Sequence, residues 1–192
     1  PIQTSKNVNF IDPNIKIPMG LMAVRTPAMT SKDAYVLELI SIILSDGKSS
    51  RLYKKMVDNK KLALEVQAVN LSLEDYGAYV ILALPPGNNT LSDLYAEFNR
   101  EINLLQTELI TDYEYQKLQN IIENNFVNSN STMAGVANSL ARYYMLYDDT
   151  NLINSEIDIY KSITKDDILT VANTYLNKNQ RVYINYMPEE SE

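Results

Sequence analysis

The residues of this chain with the most chemical potential gather around one glycine. Gly47-Lys48-Ser49 matches the end of a phosphate-binding loop, and Ser49 and Ser50 stand close to Lys48 and Lys54, as a serine–lysine nucleophile would require. The phosphate loop fails on its own spacing. It needs a second glycine five positions before Gly47, and Ile42 stands there inside a helical stretch. Gly47 therefore reads as a helix stop, and Ser49 or Ser50 as the N-cap of the next helix. Nothing marks either lysine as desolvated, so the dyad has no activated base.

Other groups are weighed the same way. Asp148-Asp149 and Asp166-Asp167 are paired carboxylates, but each pair lies at a helix boundary, where acids serve turns and helix dipoles. A calcium loop would need more oxygen ligands at stricter spacing and a central glycine. Tyr143, Tyr144 and Tyr147 share a helical face that could stack on a ligand, although tyrosines so spaced usually close a core with their hydroxyls in water. Lys48, Arg51, Lys54, Lys55, Lys60 and Lys61 form a local basic cluster that could attract acidic segments of a peptide or partner, although a solvated helix face accounts for it better.

Composition narrows the chemistry further. The 192 residues contain no histidine and no cysteine, which removes the usual zinc and copper ligand sets, disulfides, thiol nucleophiles and every imidazole-based acid–base scheme. Only oxygen-ligand metals remain open. With 17 Lys+Arg against 24 Asp+Glu the net charge is −7, a field that repels nucleic-acid backbones and anionic membranes. No apolar run approaches the ~20 residues that cross a bilayer, so no membrane insertion is expected. The sequence starts at Pro1 without a methionine or a signal-peptide pattern, which predicts a processed or excised part of a longer product.

The elements that must position these groups follow from periodicity. Val8–Ile11 suits a short edge strand, and Ile17–Thr26 a strand apolar on both faces and closed by Pro27. Thr30 or Ser31 caps a helix that is apolar almost all round from Tyr35 to Leu44, which predicts burial between layers. A second helix carries Leu52, Met56 and Val57 inward. Leu64–Leu73 and Ala78–Leu84 read as a hairpin, broken by Pro85–Asn89. Helices then start at Thr90 with Asp93, at Thr111 with Glu114, after the polar joint Asn128–Thr132, near Leu152 and at Thr164. Arg181–Met187 is a last strand, followed by a charged tail. One α+β domain over residues 1–192 is expected, with helices packed on a mostly antiparallel sheet.

The segment SDGKSSRLYKKMVDNKKLALEVQA resembles the core signature of the insulinase-like zinc peptidases, the family of pitrilysin and the mitochondrial processing peptidase. The matching residues are Ser50-Arg51-Leu52-Tyr53, Leu62-Ala63 and the strands near Val66 and Val80. Thr111-Asp112-Tyr113-Glu114 and Ile163-Thr164-Lys165-Asp166-Asp167-Ile168 resemble the family's approaches to its later helices. The resemblance implies a LuxS/metallohydrolase-like α+β domain. It also implies a division of labour, in which one domain binds zinc through His-x-x-Glu-His while a partner of the same fold lacks the motif and closes a proteolytic chamber.

Without histidine, this chain resembles the partner. Zinc is then expected on a catalytic domain or subunit of the same fold, with peptide or unfolded protein as substrate. In active members the partner supplies an Arg and a Tyr, whose places here are held by Val57 and Leu64; Lys48, Arg51 and Tyr53 remain as substrate-facing candidates. The alternative is an assembly module of the same fold with no part in proteolysis. Family habit would suit periplasmic or secreted residence.

Overall fold

The computed structural model describes residues 3–87 and 89–189. Asn88, in the expected break after the hairpin, and residues 190–192 of the charged tail lie outside the described residues. Five strands form one sheet: β1 (Lys6–Asp12), β2 (Met19–Thr26), β3 (Glu65–Leu71), β4 (Gly77–Leu84) and β5 (Val182–Pro188). Their order is β1-β5-β2-β4-β3. Only the β1–β5 pair is parallel; the other three pairs are antiparallel. The expected edge strand and hairpin are both present.

The period of two in β2 divides the sheet into unlike faces. Met22 and Val24 are buried, as are Ile81 and Ala83 of β4 and Val66 and Ala68 of β3. Alternate positions Leu21, Ala23, Val80, Leu82 and Ile184 are only half-buried and contribute nothing to the buried core. The helices pack on the first face. A methyl group on Gly20, which shares that face, would meet Leu91, Leu94 and Tyr95 of α2 (Leu91–Thr107) at 3.2–3.4 Å.

The helix α1 (Lys32–Ser45) is buried on nearly every side, as its unbroken apolar run requires. It lies between the sheet and α3 (Asp112–Ser129), α5 (Leu152–Lys161) and α6 (Lys165–Tyr175), with α4 (Met133–Tyr147) beyond them. Full burial of side chains such as Leu39, Ile40 and Leu44 stabilises by about 1.5–3 kcal/mol each. Ser31, not Thr30, caps α1, accepting from the Asp33 amide at 3.2 Å. Capping boxes close at Thr90/Asp93, Thr111/Glu114 and Thr164/Asp167, at all three of their expected positions.

Two local expectations are corrected. Neither Ser49 nor Ser50 caps the second helix: the Ser50 hydroxyl donates to the Gly47 carbonyl at 2.7 Å, and Ser49 Oγ is 2.6 Å from Lys117 Nζ. That helix, over residues 51–59, is α-helical only at its start. From Tyr53 to Asn59 it is π-helical, with the Lys60 amide donating to the Lys55 carbonyl at 3.0 Å. The Met56 carbonyl accepts from both Leu62 and Ala63 amides, which turns the chain directly into β3. The second correction concerns α4, whose tyrosine face does not close a core. Tyr143 is buried, but Tyr144 is 66% exposed and Leu140 is exposed beside it.

Candidate functional site

Where α4 leaves the core unfilled, a cavity of about 770 Å³ opens between α1, β3, α3, α4 and α5. Its polar wall is built by helical spacing. Tyr35 and Glu38 are one turn apart on α1, as are Glu156 and Tyr160 on α5, while Arg142, Tyr143 and Tyr147 come from α4. Asp148, left-handed at φ +52°, ends α4 and reverses the chain, which brings Tyr143 against Glu156.

The carboxylates are held by phenols. Tyr160 donates to Glu38 Oε2 at 2.6 Å, and Tyr143 donates to Glu156 Oε2 at 2.5 Å. Arg142 Nη2 meets Glu156 Oε1 at 3.3 Å, and its guanidinium carbon lies 4.9 Å from the centre of the Tyr143 ring. Tyr35 packs edge-on against Tyr160 with ring centres 5.0 Å apart. Burial, reinforced by the Glu156 hydrogen bond, pushes the Tyr143 phenol up to about 12. Tyr160 is raised by burial and then by the charge of Glu38, and Tyr35 by burial and then by Tyr147. Burial also raises the Glu38 carboxyl, which the Tyr160 hydrogen bond partly offsets. Tyr143 and Tyr160 thus stay protonated at neutral pH and remain donors to Glu156 and Glu38.

None of the substrate-facing candidates lines this cavity. Lys48 is exposed on the turn after α1, and Tyr53 is half-buried against the core. Arg51 is engaged within the chain: its Nε and Nη2 donate to Glu114 at 2.7 and 3.0 Å. Val57 packs on the core and Leu64 is 56% exposed. Sequence reasoning passed over Glu38, Arg142, Glu156 and Tyr160. The available signal was Glu38 itself, the one acid inside the apolar run from Tyr35 to Leu44. The residues present do not fit zinc: the chain has no imidazole or thiolate, and no three acidic side chains gather among the described residues.

Residues 2–122 match the family model of the peptidase M16 inactive domain. The chain belongs to that family. This M16 inactive domain is 27% identical over 164 residues to the zinc protease PqqE of Helicobacter pylori, covering 85% of this chain and 37% of that protein. It is 26% identical over 148 residues to an uncharacterized zinc protease of Rickettsia felis, covering 77% of this chain and 35% of that one. The chain therefore spans little more than a third of the curated relatives it matches. Its fold superposes on a Helicobacter pylori protease with a TM-score of 0.90 at 23% identity, over 98% of this chain and 46% of the other. The inactive peptidase domain of a zinc protease from Bordetella parapertussis aligns at 0.80 and 21% identity, over 92% and 93%. A chain of Complex III2 from Candida albicans shares the fold at 0.76 and 14% identity, over 95% and 45%. The α+β architecture and the inactive-domain assignment implied by the sequence resemblance both hold.

Proposed function

We propose that this M16 inactive domain forms one wall of a peptide-degrading or processing chamber, whose zinc and general base lie on a catalytic domain or subunit of the same fold. The observation that carries the reading is the uncovered sheet face. Leu21, Ala23, Val80, Leu82 and Ile184 form an apolar surface without a helix layer, and Phe10 extends it by stacking on Tyr186 with ring centres 5.2 Å apart. A surface of this kind marks an interaction site. The matched Helicobacter pylori relatives have more than half their length outside the alignment, which is room for a second domain.

In this arrangement the domain adds enclosure and exclusion of folded substrates, while the bond is cleaved elsewhere. Substrate-facing contact then falls to the exposed Lys48 and to the half-buried Tyr53; Arg51 serves by fixing the helix that carries Tyr53. Val57 and Leu64 offer no polar contact to a reacting carbonyl.

The test uses the 192-residue chain alone and mixed with a His-x-x-Glu-His domain from the same organism. Zinc content and hydrolysis of an unfolded peptide are measured. No zinc and no turnover are expected from the chain alone, with turnover in the mixture raised above that of the catalytic domain. Stoichiometric zinc or turnover in the isolated chain overturns the reading. The fold shared with the Complex III2 chain supports a second reading, assembly without proteolysis. A stable complex in which the mixture gains no activity would favour it.

A further inference from the structure

The cavity between α1, α4 and α5 plays no part in the chamber reading, and its chemistry is specific. We propose that it is a binding site for an organic cation bearing a guanidinium or primary ammonium group. Its volume of about 770 Å³ falls within the usual range of ligand sites, about 300–1,000 Å³. Three acidic residues, Glu38, Asp46 and Glu156, line it against one guanidinium, Arg142, so the wall is acidic. Four tyrosines complete it, and phenol rings attract cations through their π faces.

The chain already shows how this wall takes a guanidinium. Arg142 lies over the Tyr143 ring while reaching the Glu156 carboxylate, which is itself fixed by the Tyr143 hydroxyl. Glu38 repeats the carboxylate–phenol part of that arrangement with no cation in contact, Arg142 reaching it only through its field. Its carboxylate is fixed by the Tyr160 hydroxyl, the Tyr160 ring is braced by Tyr35, and no lysine or arginine among the described residues pairs with it. Asn70 also lines the cavity, but its amide oxygen is closed off from it. Asn70 donates through Nδ2 to the Ala34 carbonyl and to Ser72 Oγ, while its buried Oδ1 receives no hydrogen bond. An accessible carboxylate with one phenol donor, Glu38, calls for a donor-rich ligand, and guanidinium and ammonium carry only donors. A hard metal ion fits poorly, because it would need about six or more oxygens, Glu38 and Glu156 already share theirs with phenols, and no three acidic side chains converge among the described residues.

The cation can arrive as a free small molecule or as a basic side chain of a peptide, and the test separates these sources. The 192-residue chain is titrated at low salt with methylguanidine, with acetyl-Ala-Arg-Ala-amide and with the same peptide carrying neutral citrulline. Calorimetry serves as the readout, together with the emission of the 14 tyrosines, which no tryptophan masks. Arginine peptide and methylguanidine binding alike indicates a small-cation site; a clear advantage for the peptide indicates side-chain recognition. In either case citrulline binds at least tenfold more weakly, and Glu38→Gln lowers affinity at least tenfold with an unchanged circular dichroism spectrum. Arg142→Gln, which frees Glu156 and the Tyr143 ring, binds the cation more tightly. Equal binding of arginine and citrulline peptides, no binding of either cation at millimolar concentration, or full affinity in folded Glu38→Gln overturns the proposal. These outcomes are independent of whether the domain walls a protease chamber.

Discussion

Replacing Glu114 with Gln tests whether the family signature here is a mechanical joint. Glu114 ends the capping box of α3, where Oε2 accepts from the Thr111 amide at 3.0 Å and the Thr111 hydroxyl at 3.1 Å. The same carboxylate receives the two Arg51 hydrogen bonds, so the start of helix 51–59 and the start of α3 are pinned at one point. Both side chains are largely shielded, at 20% and 24% exposure. Burial alone would raise the carboxyl, but Arg51 and Thr111 overcome it and hold it at about 2, against 4.5 for a free glutamate.

A carboxyl whose folded pKa lies below its unfolded value stabilises the fold fully above the unfolded value. That stability is lost as pH falls through the folded one. The window here runs from about 4.5 down to about 2. Linkage sets an upper limit of about 3 kcal/mol, and residual solvent screening lowers the expectation to about 2 kcal/mol. Thermal and urea unfolding at pH 7 should therefore show Glu114→Gln less stable by about 2 kcal/mol, a fall of roughly 4–8 °C in Tm for a chain this long. The deficit should shrink steadily between pH 4.5 and pH 2. Arg51→Met should cost a similar amount, and the double variant about 1–2 kcal/mol less than the sum. Additive costs, or an acid unfolding curve that wild type and Glu114→Gln share in parallel, would refute the joint.

Three further outcomes follow from the same structure. Glu101 is buried with Oε1 unpartnered and its carboxyl raised by burial; such a group loses stability as pH rises through its ordinary value, so Glu101→Gln should stabilise the fold at pH 7 by about 0.5–1.5 kcal/mol in urea unfolding and gain nothing well below pH 4. A methyl group on Gly77 would sit 2.5 Å from the Leu71 carbonyl oxygen and from Thr26 Oγ1, so Gly77→Ala should strain the start of β4 and cost about 1–3 kcal/mol in the same measurement. On the uncovered sheet face, Leu21→Asp should leave the unfolding midpoint nearly unchanged but abolish co-elution with the catalytic domain; retained co-elution would move the interface elsewhere.

Much of the fold was legible because its signals are local. The buried run from Tyr35 to Leu44, the Gly47 stop and the three Thr-x-x-acid caps each fix an element from a few neighbouring residues. The hairpin is equally local. What escaped depends on contacts between distant segments. Ser49 and Ser50 look like caps until Lys117 arrives 68 residues later to take one of them. The π-helical turn is set by where the Met56 carbonyl must meet Leu62 and Ala63, which no propensity encodes. Tyr143 and Tyr144 are adjacent and chemically alike, yet one is buried by Glu156 and the other faces solvent. Glu38 and Tyr160 are 122 residues apart, so the cavity they form has no sequence pattern of its own.

The signature residues and the cavity residues therefore answer to different pressures. Arg51 lies in the most family-like stretch, and its charge is spent on Glu114, closing a joint between two helices. Leu52 and Ala63 are buried in the common core. Such residues report the fold, because removing any of them loosens the scaffold whatever chemistry the partner performs. Glu38 does the opposite. It is an exposed carboxylate opening onto the cavity, it meets a single phenol, and the packing of the core does not require it. If Glu38→Leu unfolds at the same urea midpoint as the parent chain and no longer binds an arginine peptide, the carboxylate is kept for the ligand; a lower midpoint with arginine-peptide binding retained would show that Glu38 is only a brace for Tyr160.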